Sequence, residues 1–268
     1  MISFPNAKIN IGLFVTEKRS DGFHNIETIF YPIALCDILE IVKVLKTDFF
    51  YSGLEIQGNE NNNLCLKAYH LLKSKYNIPP LKIHLHKVIP MGAGLGGGSS
   101  NAAYMIKLLN NNFKLELTIS QMQKLASELG SDCSFFIENK PVFATNKGNV
   151  FENVKLNLSK YHILLVKPDV HVSTPIAYSL IKARKAPYLL KDIDATKIHE
   201  WKNYITNDFE DPLFDMFPEI KTIKEKLYQL GAIYASMSGS GSAVYGIFEN
   251  AVETSGLFED CFVWQSKL

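Results

Sequence analysis

Along the first forty residues apolar and polar positions alternate with a period of two. Ala7, Ile9, Ile11 and Leu13 stand against Lys8, Asn10 and Gly12, and the alternation returns in Ile26, Thr28 and Phe30 and again around Ile38, Glu40 and Val42. Successive side chains on a strand point to opposite faces, so this spacing predicts two or more early strands. Between them, Glu17 to His24 is charged and contains the turn signal Asp21-Gly22, which predicts an exposed loop at one end of the sheet.

The period then changes. Leu64, Ala68, Leu71 and Leu72 recur at helical spacing behind a capping segment Asn61 to Asn63, and Pro79-Pro80 ends that helix before a strand over 82–89. Ala102, Met105, Ile106, Leu108 and Leu109 suit a buried helix starting at Ser99-Ser100-Asn101. A second helix over 118–129 ends at Gly130, and Asn110-Asn111-Asn112 is expected to be the turn joining the two. The apolar run 161–167 reads as a buried strand, and Thr174-Pro175 opens a helix with proline in its first turn. Helices are expected near 195–205 and 219–229, and the small-residue segment starting at Ala235 leads into a strand ending at Phe248. A second half begins near residue 155, which divides the chain into 1–155 and 156–268.

Composition narrows the function more than the fold. The 268 residues carry 28 basic and 27 acidic side chains, a net charge of +1, so no global field attracts nucleic acid or an anionic membrane surface. No segment approaches the ~20 apolar residues of a membrane span. The start lacks a basic stretch followed by an apolar one, and Cys36, Cys65, Cys133 and Cys261 are scattered, so reduced thiols and a cytoplasmic location are expected. His84 and His86 share one strand face but lack a third ligand, and no metal site is expected from them.

An anion must therefore be held by a local device, and residues 92–98 supply one. Gly92-Ala93-Gly94-Leu95-Gly96-Gly97-Gly98 has five glycines in seven residues between a strand and a helix. Without Cβ atoms the backbone N–H groups come close to a ligand, and the unpaired amides at a helix start favour negative charge. The alternative is a ligand-free tight turn, at about 0.5–1 kcal/mol of backbone entropy per glycine. A Walker loop needs a Gly-Lys-Ser/Thr ending, and no lysine occurs in 91–103. A dinucleotide-binding loop needs an acidic residue about 20 positions on at the end of a strand, where this chain has Asn110 to Glu116 and no strand. What remains is a phosphate loop followed by two hydroxyls, Ser99 and Ser100, as used in phosphoryl transfer.

Pro90 to Ala103 resembles the second signature of the GHMP kinases. Pro5-Asn6-Ala7-Lys8-Ile9-Asn10-Ile11, the segment Arg19 to His24 and Glu27-Thr28 are similar to the opening of the branch of that family that serves the non-mevalonate isoprenoid pathway. Leu129-Gly130-Ser131-Asp132, Asn207-Asp208-Phe209-Glu210 and Ser236 to Ser242 are similar to its later motifs in the same order. The likeness spans nearly the whole chain. It implies an α+β, two-domain GHMP kinase fold, with a ribosomal-protein-like nucleotide-binding domain and a ferredoxin-like C-terminal domain. The implied reaction is ATP-dependent phosphorylation of the 2-hydroxyl of 4-diphosphocytidyl-2-C-methyl-D-erythritol, with Mg²⁺ accompanying ATP. Kinases of other small alcohols, a non-catalytic nucleotide-binding module and a dinucleotide-binding dehydrogenase are the alternatives, in that order.

Residue by residue, the resemblance assigns catalysis to Lys8 and Asp132, with the lysine holding the aspartate ionised. On the residues alone, Lys8 reads as the usual snorkelling surface lysine of a strand, and Asp132 equally as a helix cap. ATP binding falls to Asn63, Lys87, Pro90, Met91, Gly92, Ala93, Gly94, Leu95, Gly96, Gly97, Gly98, Ser99, Ser100, Gly239, Ser240 and Gly241. Substrate binding falls to Asn10, Phe23, His24, Thr174 and Tyr178, with aromatic faces for a pyrimidine. The chain departs from the family pattern at Cys133-Ser134, where Val-Pro is frequent, at Phe23, where Tyr is common, and at Tyr178, where Phe is frequent. A small-molecule substrate is the expected partner, with no nucleic acid and no membrane, in a monomer or homodimer.

Overall fold

The computed structural model describes residues 1–56 and 62–268. In chain order its elements are β1 (Ile2–Ser3), β2 (Asn6–Lys18), β3 (His24–Cys36), β4 (Ile38–Lys43), β5 (Asp48–Gly53), α1 (Leu64–Lys75), β6 (Leu81–Lys87), α2 (Gly97–Phe113), α3 (Ile119–Ser127), α4 (Phe135–Glu138), β7 (Val142–Thr145), β8 (Val150–Asn153), β9 (His162–Lys167), α5 (Thr174–Ser179), α6 (Glu210–Met216), α7 (Pro218–Gln229), β10 (Tyr234–Met237), β11 (Val244–Phe248) and β12 (Phe262–Lys267). The architecture is α+β. It divides into two compact units: Met1–Lys8, Leu35–Met91 and Gly96–Lys140 form the first, and Ile9–Ala34, Gly92–Leu95 and Pro141–Leu268 the second.

The first unit is built on a sheet of order β1-β4-β6-β5, antiparallel except for the parallel β5–β6 pair. Strand β6 alternates cleanly, with Leu81, Ile83 and Leu85 buried and Lys82, His84 and His86 facing outward. Leu39 and Ile41 stand opposite Leu85 and Ile83, so the inner face is continuous across the strand pair. Helices α1 and α2 pack together, burying Leu66, Tyr69 and Leu72 on one and Met105, Ile106 and Leu109 on the other. Asn63 caps α1 by accepting the Cys65 N–H at 2.9 Å; Asn61, the other end of the expected cap, lies outside the described residues. On the open face of the sheet, His84 and His86 both bond the Ser52 hydroxyl, at 2.8 and 2.9 Å.

Two expectations change here. The expected turn at Asn110 to Asn112 is instead the last turn of α2, because Leu108 and Leu109 still lie on the buried face and hold the helix together. The helix stops at Lys114, in the left-handed conformation, and the Asn110 side chain takes the Leu117 N–H at 2.9 Å and so fastens the exit. At its other end α2 begins at Gly97, two residues earlier than the serines, with Gly96 as its N-cap.

The second unit carries the sheet β2-β3-β7-β8, antiparallel along β3-β7-β8, and the antiparallel sheet β10-β11-β9-β12. Strand β9, the apolar run of the sequence, is central in the latter, and α7 covers that sheet through Ile220, Ile223 and Leu227. The helix expected near 195–205 is a 3₁₀ helix over Ala195–Asn203, with Lys197 off helical geometry. Strands β7, β8 and β12 carry too few alternating positions to stand out in the sequence.

Strand β6 ends on a buried ion pair. The Asp37 carboxylate accepts the Val88 and Ile89 N–H groups at 2.8 and 2.9 Å, the Asn101 amide at 2.8 Å and the Lys87 ammonium. Both charges are out of water. Breaking such a pair from one side leaves the other charge uncompensated, so Asp37→Asn should cost about 3–5 kcal/mol in urea unfolding. A loss below about 1 kcal/mol would mean that the pair does not hold this corner of the unit.

Candidate active site

In the first unit Lys8 is 3% exposed, not the snorkelling surface lysine that its strand position admits. Its Nζ lies 3.6 Å from Oδ2 of Asp132, whose side chain is 29% exposed. Burial pulls the Lys8 pKa down, and the charge and hydrogen bond of Asp132 pull part of the way back. Asp132 is not a helix cap: the N-cap of α4 is Ser134, which makes no side-chain capping bond. The carboxylate is thus paired with Lys8 and still reaches solvent.

Beside this pair α2 begins. Gly96 is left-handed, and a Cβ there would fall 2.9 Å from Phe136 Cζ and 3.3 Å from Lys8 Cε, so the lysine stem runs along the helix start. The first turn has neither an acidic residue nor a side-chain cap. The Ser100 hydroxyl is buried with no hydrogen-bond partner. Gly98 is open: its Cβ would meet only Leu64 Cδ1, at 3.8 Å. Lys87 lies beneath Gly97, whose Cβ would be 3.2 Å from its ammonium, already engaged by Asp37 and Asn101. Pro90 is buried and Met91 exposed at the head of the loop.

In the second unit the first half of the glycine loop lies against the turn after β10. A Cβ on Gly94 would stand 1.8 Å from the Ser238 carbonyl oxygen, and Gly94 has φ +76°. The Ser238 hydroxyl donates to the Gly94 carbonyl at 2.9 Å and accepts the Asn10 N–H at 3.2 Å, and the Ala243 N–H bonds the Ala93 carbonyl at 3.2 Å. Ala93 and Leu95 are buried, and His171 packs on Gly92. The two glycine motifs, far apart in sequence, are therefore neighbours. The serine-rich segment is a buried turn rather than a flexible linker, closed by Gly241 N–H to the Ser238 carbonyl at 3.1 Å.

Asn10 is buried and donates to the Thr28 hydroxyl at 3.0 Å, while the Tyr245 hydroxyl donates to its carbonyl at 2.8 Å. Thr174 and Ser240 hydroxyls bond at 3.1 Å. His24 and Tyr178 stack directly, centroids 4.9 Å apart and 23° from parallel, and Phe209 meets Tyr178 edge-on. That spacing has no room for a third ring between them. Burial, with Lys18 nearby, lowers the His24 pKa, so the ring is neutral at pH 7. Phe23 is 58% exposed, with the Lys147 ammonium 4.2 Å from its ring centre. Sequence reasoning missed Asp37, and it placed Asn207, Glu210 and Ser238 in family motifs without assigning them a role. A lone aspartate between Cys36 and Ile38 was the one signal for the first.

Residues 63–139 match the family model described as GHMP kinases N terminal domain, and residues 189–254 match that of GHMP kinases C terminal. A glycine loop leading into a helix, with a Lys–Asp pair at the helix head and an α+β frame, defines with these matches a small-molecule kinase of the GHMP class. The chain is 52% identical over 270 residues to the 4-diphosphocytidyl-2-C-methyl-D-erythritol kinase of Parabacteroides distasonis, covering 100% of both. It is 46% identical over 271 residues to the enzyme of the same name from Porphyromonas gingivalis, covering 99% of both. A crystal structure of 4-(cytidine 5'-diphospho)-2C-methyl-D-erythritol kinase superposes with a TM-score of 0.76 at 30% identity, covering 92% of this chain and 90% of that one. The mevalonate kinase of Methanococcus jannaschii shares the fold at 18% identity, TM-score 0.71, over 99% and 97% of the two chains. The chain belongs to the 4-diphosphocytidyl-2-C-methyl-D-erythritol kinase family.

The loop geometry separates two kinds of glycine. Gly94→Ala places a methyl group on a backbone oxygen at positive φ and should cost at least about 3 kcal/mol of folding stability. Gly98→Ala fills open space on a helix and should stay within about 1 kcal/mol of wild type. Equal losses in chemical denaturation would show that close packing is not what the first glycine provides.

Proposed function

We propose that this chain transfers the γ-phosphoryl group of ATP to the 2-hydroxyl of 4-diphosphocytidyl-2-C-methyl-D-erythritol, in the cytoplasm, as a step of the non-mevalonate isoprenoid pathway. The observation that carries the chemistry is the Lys8–Asp132 pair beside the start of α2. The buried ammonium lies against the carboxylate, and the carboxylate's exposed edge is available to an alcohol. Asp132 orients the hydroxyl and accepts its proton as the oxygen bonds to the γ-phosphorus. The bond from that phosphorus to the bridging oxygen breaks, and ADP leaves with the electron pair.

The triphosphate is held by backbone N–H groups of the glycine loop and of the first turn of α2, where Cβ atoms are missing and the helix favours negative charge. Ser99 and Ser100 fit a magnesium-bound nucleotide, since the Ser100 hydroxyl is buried without a partner. Mg²⁺, when bound with ATP, neutralises charge on the phosphate oxygens. Asn63 and Lys87 support the nucleotide end of the loop, Lys87 through its hold on the α2 start. Gly239, Ser240 and Gly241 close over the phosphates, and Thr174 holds Ser240 in place.

If the loop binds ATP, a side chain that harms nothing else should block it. Gly96 is a poor probe because its Cβ would strike Phe136. Gly98→Val should stay folded yet weaken ATP by ten-fold or more, and unchanged calorimetric affinity would place the triphosphate elsewhere.

Asp132→Asn and Lys8→Met should each lower kcat by about 10²–10⁴-fold with much smaller changes in KM for ATP, because both act on the acceptor oxygen in the transition state. Lys8 loses its proton as pH rises, and burial has moved its pKa below 10.5. The kcat profile should therefore fall on its alkaline side below pH 10.5, and the residual activity of Lys8→Met should lack that limb. Near-normal kcat in both variants would overturn the assignment.

For the acceptor, the preassembled His24–Tyr178 stack offers one outer face to the cytosine, and the neutral imidazole can donate to or accept from its polar edge. Asn10 and Phe23 border the same binding region. His24→Ala should weaken the acceptor about ten-fold, at ~1–3 kcal/mol per base stack, and reduce its preference over the uridine analogue. ATP affinity should not move. Tyr178 also packs on the apolar core, so Tyr178→Phe is the usable variant there. No cytidine preference in the wild type would sink the acceptor reading.

A further inference from the structure

The Asn207-Asp208-Phe209-Glu210 motif lies outside the phosphate loops, yet its side chains converge on the turn after β10. Asn207 is buried and fully used: its amide donates to the carbonyls of Met237 at 2.9 Å and Gly239 at 2.8 Å, while its own oxygen accepts the Phe209 N–H at 3.0 Å. Glu210 takes the Met237 N–H at 2.8 Å and the Ser236 hydroxyl at 3.2 Å on one oxygen, and the Lys224 ammonium at 2.6 Å on the other. Asp208 accepts the Val15 N–H at 2.8 Å, which anchors the motif to β2. Residues 236–239 are thus gripped on two carbonyls, one N–H and one hydroxyl. The next link is Ser238, whose carbonyl oxygen faces Gly94 and whose hydroxyl bonds the Gly94 carbonyl and the Asn10 N–H.

We propose that Asn207 is a positioning residue for nucleotide binding: by holding the Met237 and Gly239 carbonyls it fixes Ser238, and through Ser238 it sets the Gly94 bend of the glycine loop. The inference rests on the reading of that loop as the ATP site. It requires an amide rather than a carboxylate, because only –NH₂ supplies two donors to two carbonyls. Aspartate has nearly the same shape but would point lone pairs at both oxygens and leave them unpaired.

The test is calorimetric titration of Mg·ATP into the wild type, Asn207→Asp, and Leu227→Ala, an apolar destabilising change in the same unit's core. Asn207→Asp should bind ATP about ten-fold or more weakly, with KM for ATP rising in step and kcat at saturation falling less than about three-fold. Amide hydrogen exchange at Gly239 and Gly241 should accelerate. Leu227→Ala, at a similar or larger loss of Tm, should bind ATP within about two-fold of wild type. Ser238→Ala breaks the same linkage one step further on, and should reproduce the ATP defect even if Asn207→Asp fails to fold. ATP affinity in Asn207→Asp or Ser238→Ala matching the Leu227→Ala control would overturn the positioning role. A wild type that binds no ATP would instead overturn the nucleotide reading, and this inference with it.

Discussion

At Gly94 the chain runs so close to the Ser238 carbonyl that a single methyl group would occupy the position of the oxygen. That approach is the constraint on which the arrangement of the second unit's loops depends. It demands glycine twice over, for the missing Cβ and for the positive φ, and it demands that the opposing carbonyl be held still. The hydrogen bonds around it meet that second demand: Ser238 back to Gly94, Ala243 to Ala93, and the buried Asn207 behind the turn. A glycine-rich segment is costly in backbone entropy and unremarkable by itself. Seated on a fixed turn, it becomes a surface of preset N–H groups, which is what an anion site requires.

The first unit solves a different problem, that of keeping lysines out of water. Lys87 and Lys8 are both buried, but their partners differ in kind. Asp37 is buried too and takes four donors, so the Lys87 pair is closed and its work is to hold the end of β6 and the start of α2. Asp132 keeps nearly a third of its side chain exposed and sits at a longer 3.6 Å, so the Lys8 pair is open on one side. An ion pair that is complete is structural. One with an accessible carboxylate edge has capacity left for a substrate, and that difference separates the two lysines more sharply than burial does.

How much of this was legible in the chain depends on range. The glycine loop, the strand before it and the helix after it declare themselves by local composition, and the α+β character follows from the change of period. The Lys8–Asp132 pairing spans 124 positions, and nothing in the spacing of either residue signals the other; only the order of motifs suggested it. The same holds for Asn207, whose partners lie thirty residues downstream. The misplaced turn at Asn110 to Asn112 has the opposite cause. Local polarity argued for a loop, and burial of the preceding leucines prevailed, with the asparagine retained to fasten the exit. His24 and Tyr178 were expected to supply separate faces for one ring, and the sequence could not show that they stack on each other.

The departure at Cys133-Ser134 shows how a chain preserves rigidity by other means. Where a proline would stiffen the segment after Asp132 by fixing its backbone, Ser134 is free to rotate, and the stiffness must come from contacts. The Ser134 hydroxyl donates to the Gln123 carbonyl at 3.0 Å, tying the segment to α3. The Cys133 thiol is pushed up to about 11 by burial, so beside the carboxylate it stays protonated and cannot compete as a nucleophile. One side-chain hydrogen bond thus takes over part of the ring's role, and it couples the segment after Asp132 to α3. Relaxing that bond is a route by which the carboxylate would lose its alignment while both residues of the Lys8–Asp132 pair remained in place.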